Sequence, residues 1–161
     1  MDRYDPELAA DPKEWLQLDE DVRLILVEEY HRDARVPLPR RARRLHATIH
    51  AVVENQLALN DEPVVRALGR LMREGLSRHD AVHAIGSLVA EHIYDRLKVQ
   101  DAPEVSNARY HAAIERLTAG VGAKVTGNQQ VGSTAQQRRC ACGWVPIAHR
   151  APAAAHLPRS A

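Results

Sequence analysis

Leu45-His46-Ala-Thr-Ile49-His50-Ala-Val52-Val53-Glu54-Asn-Gln56 is the stretch from which the fold can be read. Leu45, Ile49, Val52, Val53 and Gln56 recur at the period of a helix with one inward stripe, not at the alternation of a strand. The segment predicts a helix from Pro39 or Arg40 to about Leu59. His46 and His50 stand four residues apart, so their imidazoles leave that helix on one side, about one turn from each other. A second pair at the same spacing follows in His79-Asp80-Ala-Val-His83.

Upstream, Val36-Pro37-Leu38-Pro39 enforces extended backbone and separates this helix from an earlier one. The earlier helix is expected from Asp11, with Pro12 tolerated in its first turn. Its stripe is Trp15, Leu18, Val22, Ile25 and Leu26, continued by Glu29, and residues 1–10 read as an irregular lead-in. Downstream, Asn60-Asp61-Glu62-Pro63 is a turn and a helix start. A third helix follows with Val64, Leu68, Leu71 and Met72 inward, and Gly75 is its natural stop. Ser77 caps a fourth helix, with Asp80 as its capping-box-like partner. That helix turns Val82, Ile85, Val89 and Ile93 to the core, and Asp101-Ala-Pro103 breaks the pattern. A fifth, near Glu104 to Thr118, carries Tyr110, Ile114 and Leu117. Beyond Gly120, scattered glycines among Gln, Ser and Thr give way to Arg, Ala and Pro, the composition of a flexible, disordered tail. The expected architecture is an all-α bundle of four to five helices over residues 11–119, with a tail over 120–161.

Composition fits one modest domain: 161 residues, 45% hydrophobic and 27% charged. Aromatics make up 4% and phenylalanine is absent, so the core must come from Leu, Val, Ile and Ala. A net charge of +1 argues against a dedicated nucleic-acid binder. No apolar run approaches the roughly 18 to 20 residues of a membrane span. The polar opening Met-Asp-Arg-Tyr-Asp-Pro is not a secretory signal. Cys140 and Cys142 give no disulfide framework, so a cytoplasmic setting is expected. With His149 and His156 they mimic a metal knuckle, but their spacing is shorter than such sites use. No membrane or nucleic-acid partner is expected, and self-association is left open.

Histidines four apart on one helix can reach a common divalent ion such as zinc or iron. A single such histidine is ordinarily a solvated or hydrogen-bonded side chain; two pairs on two helices supply four nitrogens, or three plus a carboxylate and an open position. At about 100° per residue, His46 lies beside Val53 and Leu57 on the flank of the core stripe. His50 and Glu54 drift progressively outward, leaving Glu54 facing solvent unless another helix covers it. His79 and His83 share their row with Gly86 and Ala90, small residues that let a neighbouring helix close in. His79 also falls in a first turn, where the helix dipole favours the neutral, metal-binding imidazole. The expected ligands are His46, His50, His79 and His83, with Glu54 as a further ligand or as the acceptor that orients an imidazole. Glu29 would extend the set towards two metals. However, the Glu-x-x-His element of such sites occurs only once, at Glu28-x-x-His31. His31, His92 and His111 fall off their apolar stripes and are expected in solvent.

In its sequence Leu45-His46-x3-His50-x3-Glu54-x-Gln56-Leu57, Pro63, Arg66, Arg70-Leu71 and His79-x3-His83, the chain resembles an uncharacterised bacterial family of small helical proteins, a domain of unknown function. The resemblance spans roughly residues 45–90. It implies that the histidines and Glu54 act as one unit and supplies no reaction. His79-Asp80 after an upstream histidine also admits an HD-like metal phosphohydrolase, with Asp80 as a ligand instead of a cap. His-Glu-x-x-His is absent, which excludes a zincin. A third possibility is an interaction scaffold without metal. Arg35, Arg40, Arg41, Arg43 and Arg44 crowd the start of the second helix, where each cation opposes the dipole by about 0.3 to 1 kcal/mol. They read as a solvated face paired with the acidic Asp19 to Glu29 region; the alternative is an acidic, phosphate or nucleic-acid partner.

Overall fold

The computed structural model describes residues 1–98 and 101–120, and every regular element among them is a helix. In order these are α1 (Pro12–Gln17), α2 (Glu20–Asp33), α3 (Arg40–Ala58), α4 (Glu62–Arg73), α5 (Arg78–Lys98) and α6 (Pro103–Arg116). The all-α class is as expected. The count rises to six because the first predicted helix is two. Leu18 and Asp19 both take extended backbone, which ends α1 and starts α2. Arg23 reaches back from α2 to the exposed carbonyls of α1, bonding Leu18 O at 2.8 Å and Leu16 O at 3.3 Å. A helix of this length does not stand alone. α1 is held by Asp11, whose side chain accepts from the Glu14 amide at 2.9 Å, and by Trp15, which is fully buried. The indole Nε1 donates to Asn55 Oδ1 on α3 at 2.8 Å.

The central element is α3. On one side Ala47 and Ala51 pack against Tyr4, Trp15, Leu24, Leu26 and Val27 of the N-terminal segment, α1 and α2. On the other, Ile49 and Val53 join Val64, Leu71, Val82, Ile85 and Ile114 of α4, α5 and α6. Small residues do let α5 close in: a Cβ added to Gly86 would stand 2.6 Å from Ile49 Cγ2. Gly75, with φ of 101°, ends α4 as expected, in a conformation that glycine adopts without strain. Arg70 ties the end of α6 to α4 by bonding Ile114 O at 2.9 Å and Leu117 O at 3.1 Å.

Several inward assignments are corrected. Val22, Ile25, Leu45, Met72 and Ile93 are exposed: Val22 and Ile25 because the break at Leu18 and Asp19 resets the phase of α2, the other three at the edges of their stripes. Residues 1–10 are irregular, yet Tyr4 and Pro6 are buried in the core. The tail, with Cys140, Cys142, His149 and His156, lies outside the described residues apart from its first position. No described helix is long and apolar enough to cross a membrane. The predicted ion pairing of the arginine cluster holds for Arg44, which meets Asp21 at 2.6 Å.

Candidate metal centre

Between the two apolar clusters, five histidines pack against one another: His31 from α2, His46 and His50 from α3, and His79 and His83 from α5. Each is at most 5% exposed. Ring centroids lie 4.3 Å apart for His79 and His83, 4.4 Å for His31 and His46, and 4.7 Å for His50 with His31, His46 and His83 alike. Four of the five, His31, His50, His79 and His83, bring one ring nitrogen each to within 4.8 Å of all the others, an arrangement that could hold a metal ion.

His31 overturns an expectation. Its position off the apolar stripe predicts solvent, yet it is 4% exposed. The break at Leu18 and Asp19 resets the phase of α2, so the row Leu24, Val27, His31 turns inward. That row, at i, i+3 and i+7, is the sequence signal that would have found it. Its Nδ1 lies 2.8 Å from Val27 O. A carbonyl only accepts, so Nδ1 carries the proton and Nε2 presents a lone pair. That Nε2 lies 3.2 Å from His79 Nε2. Two nitrogens on one tetrahedral ion, at bonds of roughly 2.0 to 2.1 Å, stand about 3.3 Å apart.

His50 is oriented from behind. The Tyr4 hydroxyl donates to Glu54 Oε1 at 2.8 Å and lies 3.2 Å from His50 Nδ1. With its proton committed to the carboxylate, the hydroxyl oxygen accepts from His50 Nδ1–H, which leaves the Nε2 lone pair facing the cluster. This Nε2 is buried with no hydrogen-bond partner among the described residues. Burial, followed by the charge of Glu54, pushes the Tyr4 hydroxyl well above its ordinary pKa, so it remains a donor.

Glu54 is one step removed from the imidazole, since Tyr4 stands between it and His50. Both carboxylate oxygens face Arg78, which donates to Oε1 at 2.8 Å and to Oε2 at 2.7 Å, and the pair is buried. Arg78 also bonds Pro6 O at 2.8 Å, pinning the N-terminal segment over the site. The covering that keeps Glu54 out of solvent comes from Arg78, at the start of α5, and from Tyr4 in the N-terminal segment. Neither was marked out by local pattern: Tyr4 lies in an irregular segment, and Arg78 is one of many arginines.

His46 joins the ring cluster but is outside the group of four. Glu29 is exposed and pairs with Arg32 at 3.5 Å, which removes it as a ligand. Asp80 is half-buried with its amide held by Ser77 Oγ at 3.1 Å, the capping role expected of Ser77. No carboxylate belongs to the group of four, so the phosphohydrolase arrangement lacks its acidic ligands among the described residues. His92 and His111 are half-buried instead of solvated, against Tyr110 and Asp61 respectively, and neither joins the cluster.

All five clustered histidines titrate below their ordinary range. Burial is the leading cause in each, holding His46 and His79 at about 3 and moving His31, His50 and His83 in the same direction. Neighbouring imidazoles add to it for His46, His50, His79 and His83. At neutral pH they are uncharged, the state in which imidazole binds metal. No protein-family model matches the chain, and no curated protein or solved structure does either.

Proposed function

We infer that the chain binds one divalent transition metal, zinc or iron by the chemistry of its donors, through His31, His50, His79 and His83. The observation that carries this is the buried, unbonded Nε2 of His50 among three other convergent ring nitrogens. An unsatisfied buried polar atom costs about 1 to 3 kcal/mol, and an ion at that point removes the cost. Five buried imidazoles are also a poor way to build an apolar core, since each brings ring nitrogens that must be satisfied. The chain Arg78, Glu54, Tyr4, His50 is the kind of outer support that metal-bound histidines use. His46 is the fifth imidazole, beside the ion and not required to hold it.

Metal analysis of purified protein tests this, with about one equivalent per chain expected. Chelation should lower the melting temperature, because binding to the folded state alone stabilises it by about 4 kcal/mol when free metal exceeds Kd a thousandfold. His50→Ala combined with His83→Ala should abolish retention. The histidine missing from the sequence pattern is the sharper test. His31→Ala should cost more than the roughly 10- to 100-fold attached to losing an outer-shell partner, while His46→Ala should keep its metal. A wild-type chain that holds no metal and melts identically with and without chelator would instead favour a plain helical scaffold.

A further inference from the structure

Beside the cluster, between the end of α2 and the start of α3, lies a cavity of about 240 Å³. His31 and His46 line it, together with Arg32, Arg35 and Arg43. Glu28 also contributes to its wall and lies 3.7 Å from Arg44. Arg32 is shared with Glu29 and Asp33, each at 3.5 Å.

Charge balance gives this cavity a task. Four neutral imidazoles would leave a divalent ion with its full charge inside the protein, and burying an uncompensated charge is costly. Glu54, the buried carboxylate behind His50, cannot compensate because Arg78 already neutralises it. No described carboxylate belongs to the group of four, and the arginine-lined cavity touches one of its histidines, so an anion held there can supply the missing negative charge. Arg35 is notable on another count. It has φ of 53°, at the place after α2 where glycine ordinarily closes a helix, and the Val36 amide bonds His31 O at 3.0 Å. An arginine there tolerates backbone strain that glycine would avoid.

We propose that this cavity is an anion site feeding the metal centre. A small oxyanion, a carboxylate or phosphate group, enters beside His46 and ligates the ion, and Arg35 and Arg43 hold its outward oxygens. The proposal rests on the metal centre inferred above.

The test uses the full chain loaded with Co(II), whose visible spectrum reports coordination, titrated with sodium phosphate or sodium acetate at constant ionic strength. A saturable spectral change with either anion is expected, and the tighter of the two identifies a phosphoryl or a carboxylate ligand. Arg43→Gln should weaken it about tenfold, the worth of one charge-assisted hydrogen bond. Arg35→Gly should weaken it similarly while raising the melting temperature, so that the loss cannot be laid to misfolding. Cobalt stoichiometry should stay at the wild-type level in both variants. Retained cobalt with no response to either anion overturns the anion site alone, as does a response that both variants keep in full. Failure of the wild type to retain cobalt overturns the metal centre and the anion site with it.

Discussion

Glu54 is bonded to Arg78 and Tyr4 at once, and single substitutions can separate the parts of this network. In Glu54→Gln the Arg78 guanidinium stays buried without its counter-charge, a change that typically costs about 3 to 5 kcal/mol. Tyr4→Phe leaves the ion pair intact and removes the hydroxyl, with its bond to Glu54 Oε1 and its acceptor for His50 Nδ1–H, at about 1 to 3 kcal/mol. Both should weaken metal binding by about 10- to 100-fold, so stability and affinity should part company. Denaturant melts rank the first loss, and competition with a chromophoric chelator ranks the second. Equal destabilisation by the two would mean that the ion pair contributes nothing beyond the hydroxyl. The sequence showed Glu54 drifting off the core stripe and allowed both roles. Its partners are Tyr4, 50 residues away along the chain, and Arg78, 24 away, and periodicity carries no information about such partners.

At the scale of elements, legibility followed the strength of local signals. Helices α3 to α6 were readable because prolines, caps and Gly75 punctuate them and their stripes run unbroken. The first helix was not, because Leu18 fits the apolar period while its backbone leaves the helix. Counting straight through that break turned Val22 and Ile25 inward and His31 outward, the reverse of what the chain does. Gly86, on the small row beside His79 and His83, does admit α3 closely, and it makes a quantitative prediction. Gly86→Ala gains about 1 kcal/mol of helix propensity but puts a Cβ 2.6 Å from Ile49 Cγ2. Ile49 is β-branched and stiff at χ1, so its methyl cannot swing aside as the end of a long side chain would. Overpacking at about 1 to 3 kcal/mol should therefore win, with a net loss of stability and weaker metal retention as α5 is pushed from α3. Pairing it with Ile49→Val keeps the branch and the clash, whereas pairing it with Ile49→Ala removes both. Only the second double variant should recover metal binding, as measured by retained metal per chain.

Across the whole molecule, the histidines lie where the two apolar clusters meet on α3, so an ion there would join α2 to α3 and α5. Without the ion, the same five imidazoles become an acid-sensitive fault. Their folded pKa values lie below the ordinary 6.5, at about 3 for His46 and His79. Between that level and 6.5 the unfolded chain binds more protons than the folded one, so stability rises with pH and is lost as pH falls below 6.5. Each buried neutral histidine contributes up to about 1.4 kcal/mol per pH unit in that window. Set against a typical total stability of about 5 to 15 kcal/mol, five of them should unfold chelator-treated protein within about one to two pH units below 6.5. That is above the range in which most carboxylates protonate, so the acid transition can be assigned to imidazole. Denaturant melts of metal-free protein from pH 8 to pH 5 measure it directly, because the slope of stability against pH counts the protons taken up on unfolding. His46→Gln should lower that slope by one proton while leaving metal binding in place, and His50→Gln should lower it by one and weaken the metal. A metal-free chain equally stable at pH 7.5 and 5.0 would mean that the imidazoles titrate alike in the folded and unfolded chain and are not buried in the neutral form.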